Sequence, residues 1–383
     1  HKGLLARDVH HDPDRVNAPQ RRTPNGFESA PWDEAISSIA SELTRIIEAH
    51  GPNSVGTYLG NPFAFNAMGS AASGMFNAAL GSERTFNSGT QDCSNKFAVG
   101  EILYGSSLTH SMADLDHADY ALMIGTNPRV SKMSFLSTPD PVGTLRAARK
   151  RGAEIVFVNP LALTDLSDVG PTIQIRPDTD VYLLAAILCE IESAPDLGLD
   201  AKALERVDGI EAVRAFARHY PAERVAAIVG IPAEQIREIA RAFATAERAA
   251  IHASTGINMG RQGFLAYYLV QMLSLVTGNL DRRGGNVFPA RAVPAMASPQ
   301  EAVAPRSTPW GDYRPAMGTA PGALLADLIL SDEEPIRAMI VTAGNPVLSI
   351  AGGERLEQAF ASLELLVTID FYRNATGEFA DWV

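Results

Sequence analysis

The feature that most constrains this chain is a set of glycine-rich or Asn-Pro turns, each placed directly after an apolar run. Met123-Ile124-Gly125-Thr126-Asn127-Pro128 and Val341-Thr342-Ala343-Gly344-Asn345-Pro346 end two predicted strands, and Ile175-Arg176-Pro177-Asp178-Thr179-Asp180 ends a third. The longest, Gly278-Asn279-Leu280-Asp281-Arg282-Arg283-Gly284-Gly285-Asn286, follows the apolar stretch Phe264 to Val276. Glycine and Asn-Pro at the C-terminal end of a strand let backbone N–H groups come close to a ligand, and open α/β sheets bind nucleotide-like ligands at that edge. Read together, the turns predict such an edge, with Gly278 and Asn279 on it.

Helical and strand patterns alternate between the turns. Pro31-Trp32-Asp33-Glu34 opens a helix with Ile36, Ile39, Leu43, Ile46 and Ile47 at the 3.6-residue period, and Gly51-Pro52 stops it. Strands are predicted over 54–59, 120–124, 154–158, 249–253, 338–341 and 365–369. Helices are predicted over 142–150, 181–191, 234–244, 264–276, 323–330 and 355–361. This alternation predicts an α/β fold with largely parallel sheets covered by helices. Seven prolines between Asn286 and Pro321 mark a long irregular connection. The expected organisation is an N-terminal connecting segment and helix (1–50), a discontinuous first α/β domain (51–88 plus 286–383) and an inserted second α/β domain (89–285).

The two halves look alike. Asp119 to Pro128 parallels Arg337 to Pro346, and Ile155-Val156-Phe157-Val158-Asn159-Pro160 parallels Leu366-Val367-Thr368-Ile369-Asp370-Phe371. Each half has a strand ending in an Asn-Pro turn and, one helix later, a strand ending in Asn or Asp. A carboxylate or amide at that second tip holds ribose hydroxyls or a base edge. The expectation is therefore two related α/β/α cofactor-binding domains, one inserted in the other, with a nucleotide site in each.

A formal net charge of −12 and a pI near 5.2 argue against nucleic acid or an anionic membrane surface as the main partner. The longest apolar runs are too short for a membrane span. Two cysteines, Cys93 and Cys189, make neither a disulfide framework nor a thiolate metal cluster. They leave the compartment unknown, with the cytoplasm favoured. His1 in place of methionine, with no charged-then-apolar leader, reads as an excised piece of a longer protein.

The order Lys2-Gly3, Asp12-Pro13-Asp14-Arg15, Trp32-Asp33-Glu34-Ala35, Gly125-Thr126-Asn127-Pro128, Asn159-Pro160, Arg176 to Asp180, Gly278-Asn279-Leu280, Gly344-Asn345-Pro346 and Asp370-Phe371 resembles that of the dimethyl sulfoxide reductase superfamily of molybdopterin oxidoreductases. The resemblance implies molybdenum or tungsten held between two molybdopterin guanine dinucleotides, a small-molecule substrate, and an electron-transfer partner reached through a 4Fe-4S cluster. That cluster would sit in an N-terminal domain absent from this sequence, as would a C-terminal cap. The fragment itself is then expected to be apo and inactive. Lys2 resembles the lysine between cluster and pterin. Cofactor contacts are implied for Gly125, Asn127, Asn159, Asp180, Gly256, Asn258, Gly278, Asn279, Gly344, Asn345, Asp370 and Phe371.

Cys93, in Thr90-Gln91-Asp92-Cys93-Ser94-Asn95-Lys96, falls where the family places the protein ligand to the metal. Soft thiolate suits a metal already held by dithiolene sulfurs, and the thiolate is the form that ligates. Asp92 is the rival ligand, a small buried hydrophobe the bland reading, and Cys189 is left to the core. Departures accompany the matches. Ser94 follows Cys93 where formate-oxidising relatives carry histidine, Asn159-Pro160-Leu161 stands for Asp-Pro-Arg, and Asp178 replaces a glycine. Arg291 sits near a substrate-binding arginine of those relatives, or is a solvated loop residue.

Gly256-Ile257-Asn258-Met259-Gly260-Arg261 precedes a long helix and reads as an anion or pterin site or a simple cap. His110 and His117 beside Asp114 and Asp116 read as a solvated turn. No Gly-x-Gly-x-x-Gly or P-loop spacing supports a nicotinamide dehydrogenase or a nucleotide triphosphatase. Beside the molybdopterin oxidoreductase stand two alternatives, a non-redox hydratase-type relative and a cofactor-free scaffold subunit of a redox complex.

Overall fold

A computed structural model describes residues 5–132, 135–136, 138–194, 196–197, 199–289 and 304–383. Along the chain run α1 (Trp32–His50), β1 (Val55–Leu59), α2 (Ala67–Leu80), β2 (Thr85–Asn87), α3 (Ser94–Tyr104), β3 (Tyr120–Ile124), α4 (Pro141–Lys150), β4 (Glu154–Asn159), β5 (Thr172–Gln174), α5 (Asp180–Ser193), α6 (Ala233–Thr245), β6 (Ala249–Ala253), α7 (Gly263–Val276), β7 (Ala338–Thr342), α8 (Gly353–Ala361) and β8 (Leu365–Ile369). Shorter elements are named by their residues. Among the described residues no helix is long and apolar enough to cross a membrane.

The chain divides into two compact units, His1–Gln91 with Val303–Val383, and Asp92–Ala302. Each holds a four-stranded sheet, β8-β7-β1-β2 in the first and β5-β4-β3-β6 in the second. Every pairing in both sheets is parallel, as the alternating pattern requires. Five-residue apolar strands buried on both faces are what such sheets need.

In the second unit the period of two sorts side chains onto opposite faces. Tyr120, Leu122 and Ile124 of β3 join α5, α6 and α7 in one core, whereas Ala121 and Met123 join Leu145 and Ala148 of α4 in another. Leu183, Leu184, Ile187, Leu188 and Ile191 of α5 are all at most 1% exposed. At roughly 1.5–3 kcal/mol per buried side chain, this helix is a principal anchor of the unit. The first unit is layered likewise, with Leu43 and Ile46 of α1 against Val55, Ala338 and Val367, and Leu356 and Phe360 of α8 against Met339, Val341 and Leu366. Ile36, predicted on the buried stripe of α1, faces out at 60% exposure.

Four expectations need correction. The strand before Pro177 shrinks to β5, ending at Gln174, because Arg176 leaves the ladder and its N–H reaches Val229 O. The helix expected over 323–330 starts as a 3₁₀ turn, Gly322–Leu324, before Leu325–Ile329. The connection after Asn286 carries a hairpin, Arg306–Thr308 with Gly311–Tyr313, and Asn286–Val287 pairs with Met112–Ala113. The first fifty residues include a second hairpin, Gln20–Thr23 with Gly26–Ser29, docked on the other end of the chain through Gln20 N–H to Val383 O and Arg22 N–H to Asp381 O.

Candidate cofactor site

The repeat read in the sequence is present in the backbone. Gly125 (φ +59°) and Ala343 (φ +50°) hold the same left-handed position just past β3 and β7. Gly125 N–H donates to Val158 O on the neighbouring strand, and Ala343 N–H donates to Ile369 O. Asn127 and Asn345 then hold the N-cap positions of four-residue helices, Pro128–Ser131 and Pro346–Ser349, each with proline at its first position, though only Asn127 closes its cap with the side chain. Asn159 and Asp370 follow the two accepting carbonyls, so in each unit the second tip stands beside that unit's own Asn-Pro turn.

In the second unit this edge gathers several segments. Gly256 N–H donates to Gly125 O, and the backbones pass so closely that a Cβ on Gly125 would lie 2.8 Å from Ile257 N. Asn258, 4% exposed, accepts Lys96 N–H at its Oδ1 and donates through Nδ2 to Ser254 O, while its carbonyl accepts Asn95 Nδ2. The amide of Asn258 thus ties the start of α3 to the edge. Asp178 sits at φ +63°, a conformation Asp tolerates in place of the glycine, and its carboxylate accepts both Arg261 N–H and Arg261 Nε. That contact joins the Arg176–Asp180 turn to the same edge.

Among the described residues, two polar groups there have no partner beyond their own backbone. Thr126 is 4% exposed, and its Oγ1 has no hydrogen-bond partner among the described residues. Asp180, the first residue of α5, is half-buried, and burial pushes its carboxyl up to about 6, with hydrogen bonding to its own amide opposing. Asn159 Nδ2 donates weakly to Thr126 O at 3.4 Å and its Oδ1 accepts Leu161 N–H. In the first unit Asn345 Oδ1 is occupied by Thr376 N–H and Oγ1. Asp370 accepts from Phe371 N–H and Asn374 Nδ2. Phe371 is 53% exposed, with the Arg15 guanidinium 4.3 Å over its ring.

Cys93 is the N-cap of α3 and half-buried. Burial, then the neighbouring Asp92, pushes its thiol up to about 12, while Lys96 pulls the other way. A thiol held protonated is no free nucleophile, and a cation is what would ionise it. Among the described residues no three His, Cys, Asp or Glu come together, so this site offers a metal few ligands of its own. Cys189 is packed in the α5 core.

Gly278 and Asn279 lie elsewhere. The helix α7 starts at the strand-end edge and runs back, so its end falls where the strands begin. There Asn279, 1% exposed, accepts Ala249 N–H at Oδ1 and donates from Nδ2 to Thr277. Asn286 does the same for Ile251 N–H and O. The two amides substitute for a missing neighbour strand along β6, and Gly278-Asn279 is corrected from ligand contact to sheet-edge cap. His117 is corrected too: with Gly284 N–H it bonds the Asp114 carboxylate, a tied junction rather than a solvated turn. Lys2 and Arg291 lie outside the described residues.

Sequence reading also missed two buried basic groups beside the edge. Lys96 is 1% exposed and His252 3%. Lys96 shares a helix face with Val99 and Gly100, and His252 interrupts an otherwise apolar strand, so both were visible as patterns.

The model of the molybdopterin oxidoreductase family matches residues 15–383. The F420-dependent formate dehydrogenase subunit alpha of Methanocaldococcus jannaschii is 23% identical over all of this chain and 57% of its own length. The periplasmic nitrate reductase of Desulfovibrio desulfuricans is 27% identical over 100% of this chain and 54% of its own length. Among solved structures, acetylene hydratase from Pelobacter acetylenicus superposes with a TM-score of 0.83 at 20% identity, covering 100% of this chain and 56% of that one. The chain spans about half the length of the curated relatives it matches. With its paired parallel sheets, repeated Asn-Pro turns and a family match over nearly every residue, the chain belongs to the molybdopterin oxidoreductase family.

Proposed function

We propose that this chain forms the central domains of a molybdenum or tungsten enzyme that binds two molybdopterin guanine dinucleotides, one at the strand-end edge of each unit. The whole protein would carry out two-electron or oxygen-atom transfer on a small molecule. The observation that carries the reading is the duplicated edge: the left-handed residue, the N–H to the neighbouring strand and the short Pro-led helix with Asn at its N-cap position recur at Gly125–Pro128 and Ala343–Pro346.

The donor set fits the group. Guanine presents two N–H donors on one side, and Asp180 offers a sheltered carboxylate that its own chain leaves largely free. The buried Thr126 Oγ1 is a hydroxyl awaiting a partner. Asn159 and Asp370 supply acceptors suited to ribose hydroxyls. When bound, the cofactor supplies the redox chemistry at the metal, and the chain's part is to hold, orient and tune it. Cys93 would give the metal a thiolate, and Lys2 would set positive charge between the pterin and the 4Fe-4S cluster that the family resemblance implies.

Asp180→Asn tests the reading. It removes an acceptor for guanine N–H groups, so the whole protein should lose bound guanine nucleotide while remaining folded. Unchanged nucleotide content would defeat the assignment.

A further inference from the structure

The Lys96 side chain is 1% exposed. Among the described residues no carboxylate stands as counter-charge to the Lys96 ammonium, and burial pulls its pKa down to about 7. Instead it lies 3.8 Å from the centre of the Phe135 ring and 5.7 Å from that of Tyr267. It lines a cavity of about 10 Å³ together with His252, Ser111 and Asn286, room for about one water. His252 Nε2, in the same cavity, has no hydrogen-bond partner among the described residues. Aromatic faces and a water soften the burial of an ammonium, yet a charge removed from water without an anion is strongly unfavourable.

Lys96 is also one turn of α3 beyond Cys93, with Lys96 N–H donating to Cys93 O at 3.0 Å. The two side chains are close enough for each to act on the other's charge. If Cys93 ligates the metal, its thiolate together with the dithiolene sulfurs would make an anionic centre near Lys96. We propose that Lys96 is a positioning residue whose missing counter-charge is this anionic metal centre, with the water-sized cavity and His252 hydrating the ammonium behind it. The inference rests on the function proposed above and adds a residue to it. The step is electrostatic: no bond forms or breaks, and the positive charge of Lys96 would stabilise the electron-rich state of the metal.

Two measurements on the full-length protein test it. In the cofactor-free form Lys96→Met should melt at the same temperature as the wild type or higher, because it replaces an unpaired buried charge by an apolar chain of similar length. In the loaded form Lys96→Met and Lys96→Gln should shift the metal's midpoint potential, followed by electron paramagnetic resonance, to lower values. Lys96→Arg should restore it toward wild type, and Lys150→Met on α4 should leave it unmoved. A loaded protein with an unshifted potential would overturn this inference alone. So would failure of both neutral variants to fold without cofactor, since the counter-charge would then lie within the protein. A full-length protein that binds no pterin would remove the proposed function and this inference together.

Discussion

Asn279→Ala separates a sheet-edge cap from a ligand contact. Asn279 Oδ1 is 3.0 Å from Ala249 N, at the start of a strand whose first residue is fully buried. Truncation leaves that N–H without an acceptor, at about 1–3 kcal/mol. It also removes the Nδ2 bonds to Thr277 O and Oγ1, and at 1% exposure leaves a void that water does not readily fill. The sum is about 2–4 kcal/mol. Because two units need not unfold together, the assay is native-state hydrogen exchange at Ala249 and Ile251, with urea unfolding alongside. Protection at both amides should fall by that free energy while bound guanine nucleotide in the whole protein is unchanged. Asn279→Asp, which keeps the acceptor, should fall between wild type and alanine in protection. Undiminished protection with lost nucleotide would refute the reassignment.

Other outcomes follow from the same geometry. Gly125→Ala should destabilise the second unit by more than about 1 kcal/mol, since left-handed strain is joined by a clash at Ile257 N, whereas Ala343→Gly should be neutral or stabilising in calorimetry. Burial raises the Asp180 carboxyl, so its ionisation disfavours folding, and that penalty grows as pH rises from about 4 to about 6. Asp180→Asn should therefore gain about 1–2 kcal/mol at pH 7, discounted for partial solvent access, and lose that advantage on acidification in pH-dependent melts. His252 has the opposite sign: burial and the facing Lys96 hold its imidazole down to about 3, so stability present above pH 6.5 is lost as pH falls, and His252→Gln should flatten that acid limb.

The strands were the most legible part of the sequence. Tyr120–Ile124 is a five-residue apolar run between turn residues, and Ala249–Ala253 is one but for His252; in a parallel sheet both faces are buried, so the run itself marks the strand. The internal repeat was legible for the same reason, down to Asn127 and Asn345. The Gln20–Thr23 hairpin was not, because its polar strand carries no alternation and Val383, on which Gln20 docks, lies at the far end of the chain. Glycine turns look alike at either edge of a sheet. What assigns Gly278-Asn279 to the strand-start edge is direction: the turn follows a helix that returns from β6, whereas Gly125 and Ala343 follow strands. Lys96 and His252 were overlooked because a single basic residue in an apolar pattern gives no sign of what it faces. Their significance emerged only from the cavity they share.

The central claim is that each unit holds one guanine dinucleotide about a single metal. Acid hydrolysis of the purified full-length protein, with GMP quantified by chromatography against molybdenum and tungsten by elemental analysis, tests it most directly. The account predicts two GMP per metal atom. One GMP per metal, or metal with no guanine nucleotide, would contradict it.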